Sequence, residues 1–189
     1  EIRRRLGLIR ENLHQPQELL RQAGIVYQAP SDAGETQLDD GSIDLHASIY
    51  VLEHVPADQI TRILTEGARV LKRDGQSAHL IDPSDHFSHT DPSITSVNFL
   101  QYEDAQWDSL AGNQIAYHNR LRQCEYEVLF RDAGLDVPVS ESVVDERALD
   151  TLRSGLPLSK RFQQMDAEEL CRRGMLVVAR PNLRASAPT

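Results

Sequence analysis

The residues with most chemistry to offer are histidines and carboxylates set close together. Asp82-Pro83-Ser84-Asp85-His86-Phe87-Ser88-His89 brings two carboxylates and two imidazoles into one short polar run, and His54 and His118 stand elsewhere in the chain. An imidazole titrates near neutral pH, so His86, His89 and His118 are candidate general bases for a hydroxyl or amine acceptor, with Asp82 and Asp85 to orient them. The D-x-x-D-H-x-x-H spacing also has the residue types of a divalent-ion site. Pro83 interrupts any helix that would converge those ligands, so no metal is expected there. A further candidate is Asp32, in the loop Ser31-Asp32-Ala33-Gly34, where the plain alternative is an Asx turn.

These residues need elements to position them, and the clearest lie in residues 41 to 82. Ile43, Leu45, Ala47, Ile49 and Val51 alternate through Ser42 to Val51, the period of a strand, and Pro56 stops it. From Asp58 the spacing of Ile60, Ile63, Leu64, Ala68 and Leu71 is helical, with Lys72 and Arg73 at the carbonyl end and Gly75 as a left-handed stop. Ser77 to Ile81 resumes as a strand. Such a strand, helix, strand unit is by default a right-handed parallel crossover, with ligands bound beyond the carboxyl ends of its strands. The Asp82–His89 run stands at such an end.

Upstream, Ile2, Leu6, Ile9 and Leu13 predict one helix and Gln17 to Ala23 a second, closed by Gly24 ahead of a strand over Gly24 to Tyr27. Downstream, an insertion at about 83–120 holds Phe99, Tyr102, Trp107 and Tyr117 and reads as a lid or acceptor pocket. Tyr126, Leu129, Phe130 and Ala133 predict a helix ended by Gly134. Val137, Val139 and Val143 alternate around Pro138 as an edge strand, whereas Met175 to Ala179 is apolar without a break, as in a strand covered on both faces. Glu146 to Arg153 and Asp166 to Arg172 read as helices, and 181–189 as a flexible tail.

Composition narrows the partners. A net charge of −9 argues against a phosphate-tracking surface, and Arg3-Arg4-Arg5 reads as a solvated helix face, so no nucleic-acid partner is expected. No apolar run reaches the ~18 residues of a membrane span. Two cysteines, Cys124 and Cys171, read as reduced, and a cytoplasmic location is expected.

Four runs in order also resemble a family. Ser31-Asp32-Ala33, Leu38-Asp39-Asp40-Gly41-Ser42-Ile43-Asp44-Leu45, Val51-Leu52-Glu53-His54-Val55-Pro56 and Arg69-Val70-Leu71-Lys72-Arg73-Asp74-Gly75 are similar to the motifs of class I S-adenosylmethionine-dependent methyltransferases of type 11. The resemblance implies a Rossmann-like α/β sheet whose last strand is antiparallel and inserted inside the edge. It implies an adenine site at Asp32 and Ala33, a cofactor wall of Ser48, Ile49, Tyr50 and His54, and a methyl acceptor of small or medium size. Asp82, Asp85, Trp107, Tyr117, Asn119 and Arg120 would then line the acceptor side.

The family's glycine-rich loop is missing, since no G-x-G-x-G occurs in the chain. The expectation is therefore one partial methyltransferase domain over 1–180, truncated at its amino end, inactive alone and prone to self-association through the open strand 42–51. Two alternatives stay open: a non-catalytic interaction module that keeps the fold's carboxyl half, and another nucleotide-binding α/β protein.

Overall fold

The computed structural model describes residues 2–111 and 117–182. By contact they divide into two compact units, Glu1–Asp32 and Ala33–Thr189. The first unit holds helices α1 (Ile2–Asn12) and α2 (Pro16–Ala23), the latter closed by Gly24 at φ 70 as its position after the last turn requires. The strand expected at Gly24 to Tyr27 does not form. Val26 and Tyr27 are exposed and no ladder reaches them, and an apolar triplet without a partner strand has nothing to make it a strand.

The second unit is built on a four-stranded sheet in the order β1 (Ile43–Ile49), β2 (Leu71–Ile81), β4 (Arg172–Pro181), β3 (Leu135–Val144). β1 runs parallel to β2, and β4 runs antiparallel between β2 and β3. That is the arrangement the resemblance implies. Met175, Val177 and Ala179 are fully buried, as an inner strand demands, and Pro138 sits at a register shift in edge strand β3, where its missing N–H disrupts no regular ladder. Helices α3 (Ala57–Val70) and α5 (Gln123–Asp132) contribute Ile60, Leu64, Tyr126 and Phe130 to one core cluster with the strands. A second cluster gathers Phe99, Leu100, Trp107, Leu149, Phe162 and Leu170 from α4 (Asp104–Ala111), α6 (Glu146–Arg153), α7 (Ala167–Leu170) and the loops between them.

Two local readings are corrected. Helix α3 ends at Val70 and the chain passes straight into β2, so Lys72, Arg73 and Gly75 lie in the strand and not at a helix terminus. Gly75 serves close approach instead: a Cβ there would lie 2.9 Å from a Leu71 methyl, 3.0 Å from the Lys72 carbonyl oxygen and 3.2 Å from that of Asp44, at the irregularity in the β1–β2 register. In β1 the face turned inward is not the apolar one. Leu45 and Ile49 are exposed while His46 and Ser48 point to the α3 side, where Gly67 leaves room for the His46 ring. His46 Nδ1 lies 3.2 Å from Ser77 Oγ, Ser77 Oγ 2.8 Å from His79 Nε2, and His79 Nδ1 2.7 Å from Ser48 Oγ.

No helix among the described residues is long and apolar enough to cross a membrane. The tail expected over 181–189 lies outside the described residues from 183 onward; Pro181 closes β4, and the Asn182 amide donates to the Gly134 carbonyl.

Candidate active site

The carboxyl ends of the parallel strands carry the site. Chain leaves β1 through Tyr50, whose φ of 54 puts a bulky residue in the left-handed region, a conformation costing on the order of 1–3 kcal/mol and found where function constrains the backbone. Leu52–His54 then forms a single 3-10 turn that buries Leu52 and Glu53. Residues 117–119 lie along that turn. The Asn119 backbone amide donates to the Glu53 carbonyl at 2.7 Å, and its side-chain amide donates to the Leu52 and Val55 carbonyls at 2.9 Å each. His54 Nδ1 lies 2.9 Å from the Tyr117 carbonyl oxygen. A carbonyl only accepts, so Nδ1 carries the proton and Nε2 keeps the lone pair.

Beyond β2, Asp82 accepts from the Ser84 amide at 3.1 Å, and the chain turns into a second 3-10 segment, His86–His89. Four imidazoles collect there. His86 is central, with its ring centre 4.9 Å from each of His54, His89 and His118, and it is stacked on the latter two. Asp82 Oδ2 is 3.5 Å from His89 Nε2 and 3.9 Å from His86 Nε2. Burial lowers the pKa of His86, and the Asp82 carboxylate offsets part of that. Glu53 is almost wholly buried, and neither carboxylate oxygen makes a hydrogen bond of ordinary geometry. Burial drives its pKa up; the backbone amides of Glu53 and Asp82 and the His54 ring offset that only in part.

Other sequence candidates have structural duties. Asp85 is fully buried, caps the 3-10 segment by accepting from the Phe87 amide at 2.9 Å, and accepts from Asn98. Trp107 is buried and donates to the His118 carbonyl at 3.1 Å, with its ring 4.7 Å from the His118 ring. Arg120 donates to the Phe99 and Tyr102 carbonyls and to Asp104. Ser48 faces the covered side of the sheet, toward His79. Ile49 and Tyr50 are exposed, and Asp32 and Ala33 are exposed in a loop.

A cleft of about 420 Å³ opens beside the histidines, lined by Tyr50, Asp82, Ser84 and His89 on one side and Asp145, Arg147 and Arg173 on the other. Sequence reasoning missed the second wall. Asp145 follows β3, Arg147 lies in the first turn of α6 and Arg173 stands at the start of antiparallel β4. Also missed was Arg122, fully buried, whose guanidinium donates to the carbonyls of Pro83 at 2.5 Å, Arg120 at 3.2 Å and Leu170 at 3.4 Å. It ties the start of the Asp82–His89 loop to the second core.

With that geometry in place, comparison with known proteins is informative. Residues 6–78 match the sequence profile of the methyltransferase domain family. Over those residues the chain is methyltransferase-like in sequence. A solved protein of Pyrococcus horikoshii OT3 aligns with TM-score 0.51 at 12% identity, covering 89% of this chain and 66% of that one. A SAM-dependent methyltransferase from Methanosarcina mazei aligns over 80% of this chain and 65% of its own, with TM-score 0.47 and 15% identity. A putative methyltransferase of Haloferax volcanii, solved with the Trm112 activator, covers 87% and 66% at TM-score 0.46 and 22% identity. The chain thus spans just under two thirds of the length of these structures. No curated protein matches it significantly in sequence.

Proposed function

We propose that this chain forms the acceptor side and one cofactor wall of an S-adenosylmethionine-dependent methyltransferase acting on a small or medium-sized polar acceptor. The observation that carries this reading is the cleft where Tyr50, at the end of β1, meets Asp82 and His89, at the end of β2, on a sheet of methyltransferase topology. Exposed Ile49 and the constrained Tyr50 backbone would offer one cofactor wall, and Asp32 and Ala33 carry the groups an adenine needs, an acidic acceptor and a backbone donor. The sulfonium supplies the methyl group. With the cofactor bound, His89 Nε2, 3.5 Å from the Asp82 carboxylate, would take the proton of the acceptor heteroatom. His86 and His118, stacked behind His89, position it.

Titration of the isotope-labelled chain with S-adenosylhomocysteine tests the cofactor side. Expected are amide shifts confined to residues 32–33 and 48–54, weakened at least tenfold by Asp32→Ala, the scale of ~1–3 kcal/mol for leaving a polar partner unmatched. Shifts centred elsewhere, or none at any concentration, would remove this site.

A further inference from the structure

Glu53 is the most anomalous group in the molecule. A carboxylate taken out of water without a hydrogen bond costs several kcal/mol in its charged form, yet both oxygens of Glu53 are in that position. Next to it, His86 Nε2 is also buried with no hydrogen-bond partner. A buried acceptor beside a buried imidazole nitrogen is satisfied by a shared proton or by a cation, and the further imidazoles and carboxylate gathered around the pair favour the cation.

We infer that Glu53, His54 and His86 form a binding site for one divalent transition-metal ion, with Asp82 completing its coordination. One ligand atom from each of Glu53, His54 and His86 can be chosen so that all lie within 4.8 Å of one another, and the same holds for Asp82, His86 and His89. His86 belongs to both sets. Around an ion with ligand distances near ~2.1 Å, tetrahedral ligands sit about 3.4 Å apart, so small side-chain rotations close the site. The outer contacts suit ligation. The proton of His54 is on Nδ1, held by the Tyr117 carbonyl, which presents Nε2, and Asp82 Oδ1 is held by the Ser84 amide, which leaves Oδ2 toward the histidines. Two or three imidazoles with one or two carboxylates select zinc, manganese, iron(II), cobalt or nickel over magnesium and calcium, which prefer oxygen throughout. The ion would stand at the edge of the cleft that His89 and Asp82 line, where it would draw in an acceptor bearing oxygen or nitrogen and lower that atom's pKa. The site does not depend on methyl transfer: metal binding is read without cofactor or acceptor.

The test uses the purified chain stripped with a chelator. Trp107, the one tryptophan, packs on His118, which stacks on His86, so cobalt(II) should quench its emission as zinc(II) calorimetry reports one ion per chain. Glu53→Gln should lower affinity at least tenfold while leaving the metal-free chain as heat-stable as the wild type or more so, because it removes a buried charge. His54→Asn, a change at an exposed ring, should also lower affinity at least tenfold with the fold intact by circular dichroism. An absent heat signal with unquenched Trp107, or one bound ion indifferent to both substitutions, would overturn the site.

Discussion

Acidification should unfold this protein through a histidine that takes no part in the active site. His79 is buried in β2, hydrogen-bonded to Ser77 and Ser48, 4.9 Å from the His46 ring and 5.4 Å from that of Phe130. Burial, and secondarily the neighbouring His46, lowers its pKa to about 3. In the unfolded chain a histidine binds its proton near pH 6.5, so below that pH the unfolded state holds a proton that the folded state refuses. Stability contributed by the neutral ring is complete above pH 6.5 and falls by ~1.4 kcal/mol for each unit below it until the folded pKa is reached. Between pH 6.5 and 4.5 that is about 2.7 kcal/mol, an upper figure because a charged ring can still donate to the two serine oxygens. His46, lowered by burial too, adds in the same direction, whereas Glu53 and Asp85, raised by burial, oppose it. Urea unfolding of wild type and His79→Asn at several pH values isolates the contribution. The variant starts less stable, but its loss from pH 6.5 to 4.5 should be smaller than that of the wild type by ~2 kcal/mol. Parallel pH profiles for the two proteins would mean that His79 is protonated in the fold and the burial argument fails.

Gly67→Ala puts a Cβ 2.3 Å from His46 Nδ1, so the ring must leave Ser77, and a loss of ~1–3 kcal/mol in urea unfolding is expected, as for an overpacked core. Gly7→Ala, where nothing lies within 4 Å of the new Cβ, is the contrasting control and should not destabilise. Strand β1 pairs only with β2 among the described residues and exposes Leu45, Ile49 and Tyr50, so the chain should self-associate through 42–51 at high concentration. Sedimentation should show this reversed by Ile49→Lys; a wild type that stays monomeric contradicts it.

The sheet was legible because its signals are of different kinds. An unbroken apolar run made β4 an inner strand, and a proline amid alternating valines made β3 an edge, without reference to any relative. What misled was a residue's partner, which periodicity does not contain. Leu45, Ala47 and Ile49 alternate as a buried face would, yet the face turned to α3 carries His46 and Ser48, because a serine and a histidine on β2 satisfy them. Ile25, Val26 and Tyr27 look like a strand and have no ladder. Gly75 looks like a helix stop and is a close approach between backbones. At the site, the clustering of His86, His89 and Asp82 followed from sequence proximity. Glu53 did not stand out, since inside an apolar run one acidic residue reads as solvent-facing, and only its burial makes it peculiar.

That contrast separates scaffold from chemistry at this end of the molecule. The loops over the strand ends are irregular backbone, and irregular backbone inside a fold must find partners for its carbonyls. Asn119 supplies two donors to Leu52 and Val55, Arg120 supplies donors to Phe99 and Tyr102, and Arg122 supplies donors to Pro83, Arg120 and Leu170. All three are polar, sit beside the histidines and face inward, which is how a binding residue looks in sequence. Their hydrogen bonds are already committed to the chain, so a ligand could take them only by breaking the loops. Glu53 and His86 are the reverse case: held in place by the same loops, with the Glu53 carboxylate oxygens and His86 Nε2 making no hydrogen bond of ordinary geometry. A substitution in the first group should therefore loosen the fold together with any binding, and a substitution in the second should remove binding from a fold that is unchanged or firmer. The two groups meet in space, where the Asn119 amide donates to the Glu53 carbonyl, and only the pattern of satisfied bonds tells them apart.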